Sequence, residues 1–212
     1  MHIPTIYDPD VKNNNQFYEI MSHQKEHHLF KVLRVTDGSK IKISNGSGVL
    51  YYGTLDKKHI QIESQEIHTR SNNLRIFIPY LRDKSRFRFI FEKLTEIEVA
   101  SIFVGNTDNS QKINIDESKI LNWIKASVEQ SGSPFIPSLK LVDNIDYNIF
   151  NTCLDISGTN IKKINKRVNN FAVGPEGGWS KDEISKFENK ISISKHTLRV
   201  ETAAIVASAL LM

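Results

Sequence analysis

Two short segments near the carboxyl end hold residue types that could do chemistry. The first is Gly174-Pro175-Glu176-Gly177-Gly178-Trp179, set between the apolar Phe171-Ala172-Val173 and the polar Ser180-Lys181-Asp182-Glu183. A glycine-rich turn at the carboxyl end of a parallel strand is where α/β sheets bind ligands, because backbone amides are accessible and no side chain obstructs approach. No Gly-Lys-Ser/Thr follows, and the glycine spacing does not fit the dinucleotide fingerprint, so a phosphate cradle is disfavoured. Taken alone, the same loop reads equally as a tight turn whose glycines only permit positive φ. The second segment runs from Ser194 to Thr202 and groups Arg199, Glu201 and Thr202 before the nearly uncharged Ala203 to Met212. Fixed polar groups at the rim of an apolar pocket are what a small-molecule site needs.

These segments require a sheet beneath them, and the spacing supplies one. Ser180 followed three residues later by Glu183 is a capping box, so a helix begins after the glycine loop. Upstream, Leu74 to Tyr80 reads as an apolar strand, and Phe87, Ile90, Phe91, Leu94 and Ile97 form one apolar helical stripe. Ser101 to Gly105, Leu139 to Val142, Thr152 to Ile156 and Phe171 to Val173 are further strands, and a helix carrying Ile120, Ile124 and Val128 stops at Gly132 and Pro134. Strands alternating with helices imply a mainly parallel sheet covered on both faces. Before residue 70 the rhythm differs. Ile41 and Ile43 alternate with polar residues, Asn45-Gly46 reads as a hairpin turn, and Val49 to Leu55 and Ile60 to Ile67 are strands separated by Asp56-Lys57-Lys58-His59. The expected organisation is a small β-barrel over 1–70 and an α/β domain over 71–212.

Composition narrows the function. The chain has 212 residues, 28 Lys and Arg against 24 Asp and Glu, and a formal net charge of +4. That balance suits a polyanionic partner such as RNA. Cys153 is the only cysteine, which excludes internal disulfides and cysteine-based zinc sites. No apolar run reaches the roughly 20 residues of a membrane span, and Met1-His2-Ile3-Pro4-Thr5 lacks the pattern of a secretory signal, so a cytoplasmic protein is expected.

Together the two segments resemble the signature of the 16S ribosomal RNA uridine N3-methyltransferase family, within the SPOUT class of knotted methyltransferases. Gly174-Pro175-Glu176-Gly177-Gly178 and Leu198-Arg199-Val200-Glu201-Thr202-Ala203 are similar to its two C-terminal motifs. His28, Lys31-Val32-Leu33-Arg34-Val35, Gly38 and Asn45-Gly46 resemble its RNA-binding barrel, and Lys93 to Val99 and Glu129-Gln130-Ser131-Gly132 its middle motifs. The resemblance covers essentially the whole chain in order. Departures occur at Glu98 and Ser194, where the family has glycine, and at Ser133 and His196, where arginine is common.

The resemblance implies an N-terminal PUA-like β-barrel, a C-terminal trefoil-knotted SPOUT domain and a homodimer acting on 16S ribosomal RNA or the small ribosomal subunit. It implies S-adenosylmethionine as cofactor, held by Leu154, Gly174, Pro175, Glu176, Gly177, Gly178, Ile193, Leu198, Val200 and Thr202, with no metal. Arg199 is the expected catalytic cation favouring the N3 anion, and Glu201 is expected to orient it or accept a proton. Lys31, Arg34, Arg82 and Arg86 are the expected RNA contacts. A catalytically inactive RNA-binding or assembly protein of the same fold and a knotted methyltransferase of tRNA remain the alternatives. An enzyme handling nucleotide phosphates at the glycine loop is a further rival, opposed by the missing lysine.

Overall fold

Alternating apolar residues on both sides of two turns build the first sheet. In the computed structural model, which describes residues 3–11, 17–19, 26–32, 34–110 and 115–212, this sheet holds β1 (Thr5–Tyr7), β2 (Phe17–Glu19), β3 (Lys40–Ser44), β4 (Val49–Asp56) and β5 (His59–Ile67) in the order β1-β3-β4-β5-β2. Met1, His2 and Leu33, all used in the sequence reading, lie outside the described residues. Ile6, Leu29, Ile41, Ile43, Leu55 and Ile60 form the core of this sheet. The tight two-residue turn is at Lys57-Lys58, where Asp56 faces His59 and Lys57 takes φ +56°. Asn45-Gly46, expected as that kind of turn, belongs to a longer loop. Asn45 Oδ1 accepts from the amides of Ser47 and Val49, and Gly46 has φ +72° with Ile136 against it, 2.9 Å from where a Cβ would stand.

The chain divides into two compact units, Met1–Arg70 with Lys125–Ile136, and Ser71–Ile124 with Pro137–Met212. The first unit therefore takes in a stretch that the sequence reading gave to 71–212. Backbone pairing explains it: Ile136 N donates to Gly46 O at 2.9 Å, and Gly48 N to Pro134 O at 2.9 Å. Ser133 belongs to this tie. It is buried, its carbonyl accepts from Ser44 Oγ at 2.7 Å, and its own hydroxyl donates to Phe135 O.

The second unit is a six-stranded, all-parallel sheet. Its strands are β6 (Arg75–Pro79), β7 (Ser101–Asn106), β8 (Ser138–Asn144), β9 (Thr152–Asn160), β10 (Asn170–Ala172) and β11 (Asn189–Ser192), ordered β11-β9-β10-β6-β7-β8. Among the described residues, α1 (Lys84–Glu96), α2 (Glu117–Ser131), α3 (Lys181–Lys186) and α4 (Val200–Leu211) accompany the strands, the second half of α2 belonging to the first unit. Asp83 caps α1 by accepting from the amides of Ser85 and Arg86. The apolar stripe of α1 is buried at Phe87, Ile90, Phe91 and Leu94, each such side chain contributing about 1.5–3 kcal/mol of burial. Glu98 follows the end of α1 with φ +59°, and its neighbour Val99 N donates back to Leu94 O at 3.0 Å. That left-handed helix terminator is where glycine costs least, so the glycine that the resemblance leads one to expect here has a backbone reason. Strand β11 was not anticipated, because only Ile191 interrupts its polar sequence.

Candidate cofactor and active site

The site gathers where β9, β10 and β11 end. Val173 N donates to Phe77 O at 2.9 Å, finishing the β10 pairing, and the chain then turns through the glycine loop. Gly178 N donates to Pro175 O at 2.8 Å and Gly178 takes φ +74°. Gly174 cannot carry a Cβ without meeting the Trp179 indole at 2.9 Å. The expected capping box is present: Ser180 Oγ accepts from Glu183 N, and Glu183 returns a carboxylate to Ser180 N. Loop and helix start are thereby fixed as one piece.

A widening of β9 forms the second wall. Lys190 pairs with Cys153, but Ile191 pairs with Thr159, so residues 154–158 leave the β11 ladder. Gly158 closes this bulge at a point where a Cβ would lie 2.5 Å from Ile191 N, a separation only glycine permits. The bulge turns Leu154, Asp155 and Ile156 toward the cavity. Asp155 Oδ1 accepts from Ser157 N at 2.8 Å, and Leu154 O accepts from Trp179 Nε1 at 3.1 Å.

The third wall is the segment from β11 to α4. Arg199 is the N-cap residue of α4, is exposed, and among the described residues makes no side-chain hydrogen bond or ion pair. Glu201, in the first turn of α4, is buried and gives both oxygens to Arg86 of α1, at 2.9 Å from Nε and 2.7 Å from Nη2. Arg86 Nη1 also donates to Glu176 of the glycine loop. Hydrogen bonding from Arg86 holds the Glu201 carboxyl below its ordinary value, and the two carboxylates raise the Arg86 guanidinium.

These walls enclose a cavity of about 420 Å³, within the roughly 300–1,000 Å³ usual for small-molecule sites. Of the residues expected to hold a cofactor, Leu154, Gly174, Pro175, Glu176, Gly178, Ile193, Leu198 and Val200 line it, as does Arg199. Gly177 and Thr202 are not in the lining. Gly177 is approached by Asn109, whose Cβ lies 3.1 Å from its own Cβ position, and Thr202 is an exposed residue of α4. Arg86, expected at RNA, lines this cavity with its guanidinium committed to two carboxylates. Glu201, expected to orient Arg199 or accept a proton, gives both oxygens to Arg86 and also interacts electrostatically with Arg199. Lys31, Arg34 and Arg82 are exposed. Asp155 and Ile156 line the cavity within the segment 154–157 that the resemblance makes the third loop of the pocket, whereas Trp179 and His196 line it without having been assigned to it. Trp179 had the most accessible signal, as the large residue ending the glycine loop. Among the described residues, no group of three His, Cys, Asp or Glu could hold a metal, and no helix is long and apolar enough to cross a membrane.

A family model for the RNA methyltransferase domain matches residues 69–212, and one for the RNA methyltransferase PUA domain matches 27–63. The chain belongs to the RNA methyltransferase family. It is 26% identical over 215 residues to the ribosomal RNA small subunit methyltransferase E 1 of Borreliella burgdorferi, with 89% of each chain covered. A Legionella pneumophila putative methyltransferase, solved with bound S-adenosylmethionine, is 26% identical with TM-score 0.82, covering 100% of this chain and 97% of the other. The small subunit methyltransferase E of Neisseria gonorrhoeae bound to S-adenosylmethionine shares the fold at TM-score 0.81 and 21% identity, covering 98% and 96%. The architecture is thus that of a SPOUT-type α/β methyltransferase with an N-terminal PUA-like sheet. In this RNA methyltransferase the cavity occupies the carboxyl ends of parallel strands, where ligands of open α/β sheets bind.

Proposed function

We propose that this protein is an S-adenosylmethionine-dependent methyltransferase of 16S ribosomal RNA that modifies a uridine at N3. The observation carrying the proposal is the cavity bounded by the glycine loop, the β9 bulge and the start of α4, with the exposed Arg199 at its rim. The chemistry of the lining fits the cofactor. Leu154, Ile156, Val173, Ile191, Ile193 and Leu198 offer apolar surface to an adenine, and the glycine loop offers main-chain polar groups to its edge. The single arginine deeper in the lining, Arg86, is neutralised by Glu176 and Glu201, which removes its repulsion of a cationic sulfonium. The relatives named for small-subunit ribosomal RNA and those solved with S-adenosylmethionine support the same reading.

When bound, the cofactor supplies an activated methyl group on sulfur. The chain has then to position the acceptor and withdraw the N3 proton. Arg199 stabilises the anionic form of the uridine, since among the described residues its guanidinium forms no hydrogen-bonded ion pair. Glu201 holds Arg86 and is poorly placed to take a proton, because both its oxygens already accept hydrogen bonds. Lys31, Arg34 and Arg82 contact RNA phosphates, which gives salt-dependent affinity without sequence reading.

A trefoil knot and a homodimer complete the proposal. Strand β10 comes after β9 in sequence yet lies between β9 and β6, a threading that suits a knot. Leu210 and Met212 of the α4 end, 48% and 47% exposed, provide apolar surface for a second copy. The test is mass spectrometry of ribosomal RNA from cells lacking the gene. Loss of one 3-methyluridine from 16S RNA is expected. An unchanged 16S RNA with a modification lost from tRNA would overturn the assignment of substrate.

A further inference from the structure

Arg86 sits in the first turn of α1, far in sequence from both segments that make the cavity, yet it is bonded to each of them. Its two arms differ. The Glu201 arm is bidentate and nearly buried, with the Glu201 side chain 11% exposed. The Glu176 arm is a single contact to a side chain that is 56% exposed on the glycine loop. The Glu201 arm joins helices that already pack together, α1 and α4. The Glu176 arm fastens a loop that is otherwise held by Trp179 and Asn109 to the β9 bulge and the β7 side.

We propose that Arg86 is a positioning residue and that its bond to Glu176 is a releasable latch fastening the glycine loop to α1 and, through the Glu201 arm, to α4, opening to let the cofactor pass and closing to retain it. The proposal rests on the cofactor reading given above. A bidentate arm that persists keeps the guanidinium aimed, so the weaker arm can break and reform without losing its partner. The exposed arm meets competing water and salt, and therefore opens first. The latch acts on residence of the cofactor; Arg86 performs no proton or methyl transfer.

The test is stopped-flow measurement of S-adenosylmethionine association and dissociation by Trp179 fluorescence, with calorimetric affinity and thermal unfolding alongside. Glu176→Gln is expected to speed dissociation about tenfold, with unfolding temperature essentially unchanged. Arg86→Lys keeps the charge but loses the fork, and is expected to speed dissociation at least as much. The double variant should be no faster than Arg86→Lys alone, because both changes open one latch. High salt should speed wild-type dissociation and leave Glu176→Gln nearly unaffected. Unchanged dissociation in Glu176→Gln, or additive effects in the double variant, would overturn the latch. Failure of the wild-type protein to bind the cofactor at all would instead overturn the cofactor reading.

Discussion

The indole Nε1 of Trp179 donates to the backbone carbonyl of Leu154 at 3.1 Å, so the glycine loop and the β9 bulge are joined by one hydrogen bond. Trp179 also packs edge-on to Phe187 with ring centroids 4.8 Å apart. Trp179→Phe keeps the aromatic packing and loses the donor. About 1 kcal/mol of cofactor affinity should be lost, a several-fold rise in Kd by calorimetry. An unchanged Kd would show that the two walls hold their spacing without this bond.

Gly158→Ala should be far more damaging than its size suggests. The added methyl would stand 2.5 Å from Ile191 N, a contact that backbone must move to relieve. Overpacking of this kind costs about 1–3 kcal/mol, readable as a lower denaturant midpoint, and should abolish cofactor binding by closing the bulge.

Arg199→Ala should remove methyl transfer while leaving cofactor affinity within about threefold, since an exposed side chain without an ion pair supports little of the fold. Near-normal single-turnover rates would end its assignment as the cation facing the uridine.

Acid pH offers a separate reading of the Arg86–Glu201 pair. The Glu201 carboxyl lies below its ordinary 4.5 in the folded protein, chiefly through the hydrogen bonds from Arg86. A depressed carboxyl stabilises fully above its unfolded pKa, and the contribution disappears as pH falls through the folded value. Glu201→Gln should therefore cost about 1.5–3 kcal/mol at pH 7, with the gap to wild type narrowing below about pH 4. A gap of constant size from pH 7 to pH 3 would contradict the pairing.

Glu98→Gly should stabilise the protein. A side chain in the left-handed region costs about 1–2 kcal/mol, which glycine avoids at a helix terminator. A gain of roughly 1 kcal/mol in chemical denaturation is expected, and a loss would mean that the Glu98 side chain repays its backbone cost.

Much of the parallel sheet was legible because its strands are apolar and its helices carry a stripe, as in Phe87, Ile90, Phe91 and Leu94. The capping box at Ser180 and Glu183 was legible because its two hydrogen bonds are local. What escaped depended on distant approach. Gly46 reads as a turn residue, but its neighbour in space is Ile136. Arg86 reads as one more surface cation, and only the fold brings Glu176 and Glu201 to it. Strand β11 escaped because its pairing with β9 is interrupted by residues that no period marks.

The place of β10 between β9 and β6 has a consequence for the order of assembly. Both strands that flank this slot are synthesised before the residues that fill it. Until Asn170–Ala172 emerge, β6 keeps an unpaired backbone edge and β9 has neither of its neighbours, because β11 comes later still, and such edges recruit other chains. The nascent sheet is thus β6, β7 and β8 with β9 apart, and they join only when the segment bearing the glycine loop arrives. The binding cleft is completed later again, when the segment from β11 to α4 supplies its third wall, and the hazard of aggregation is greatest before β10 bridges the gap.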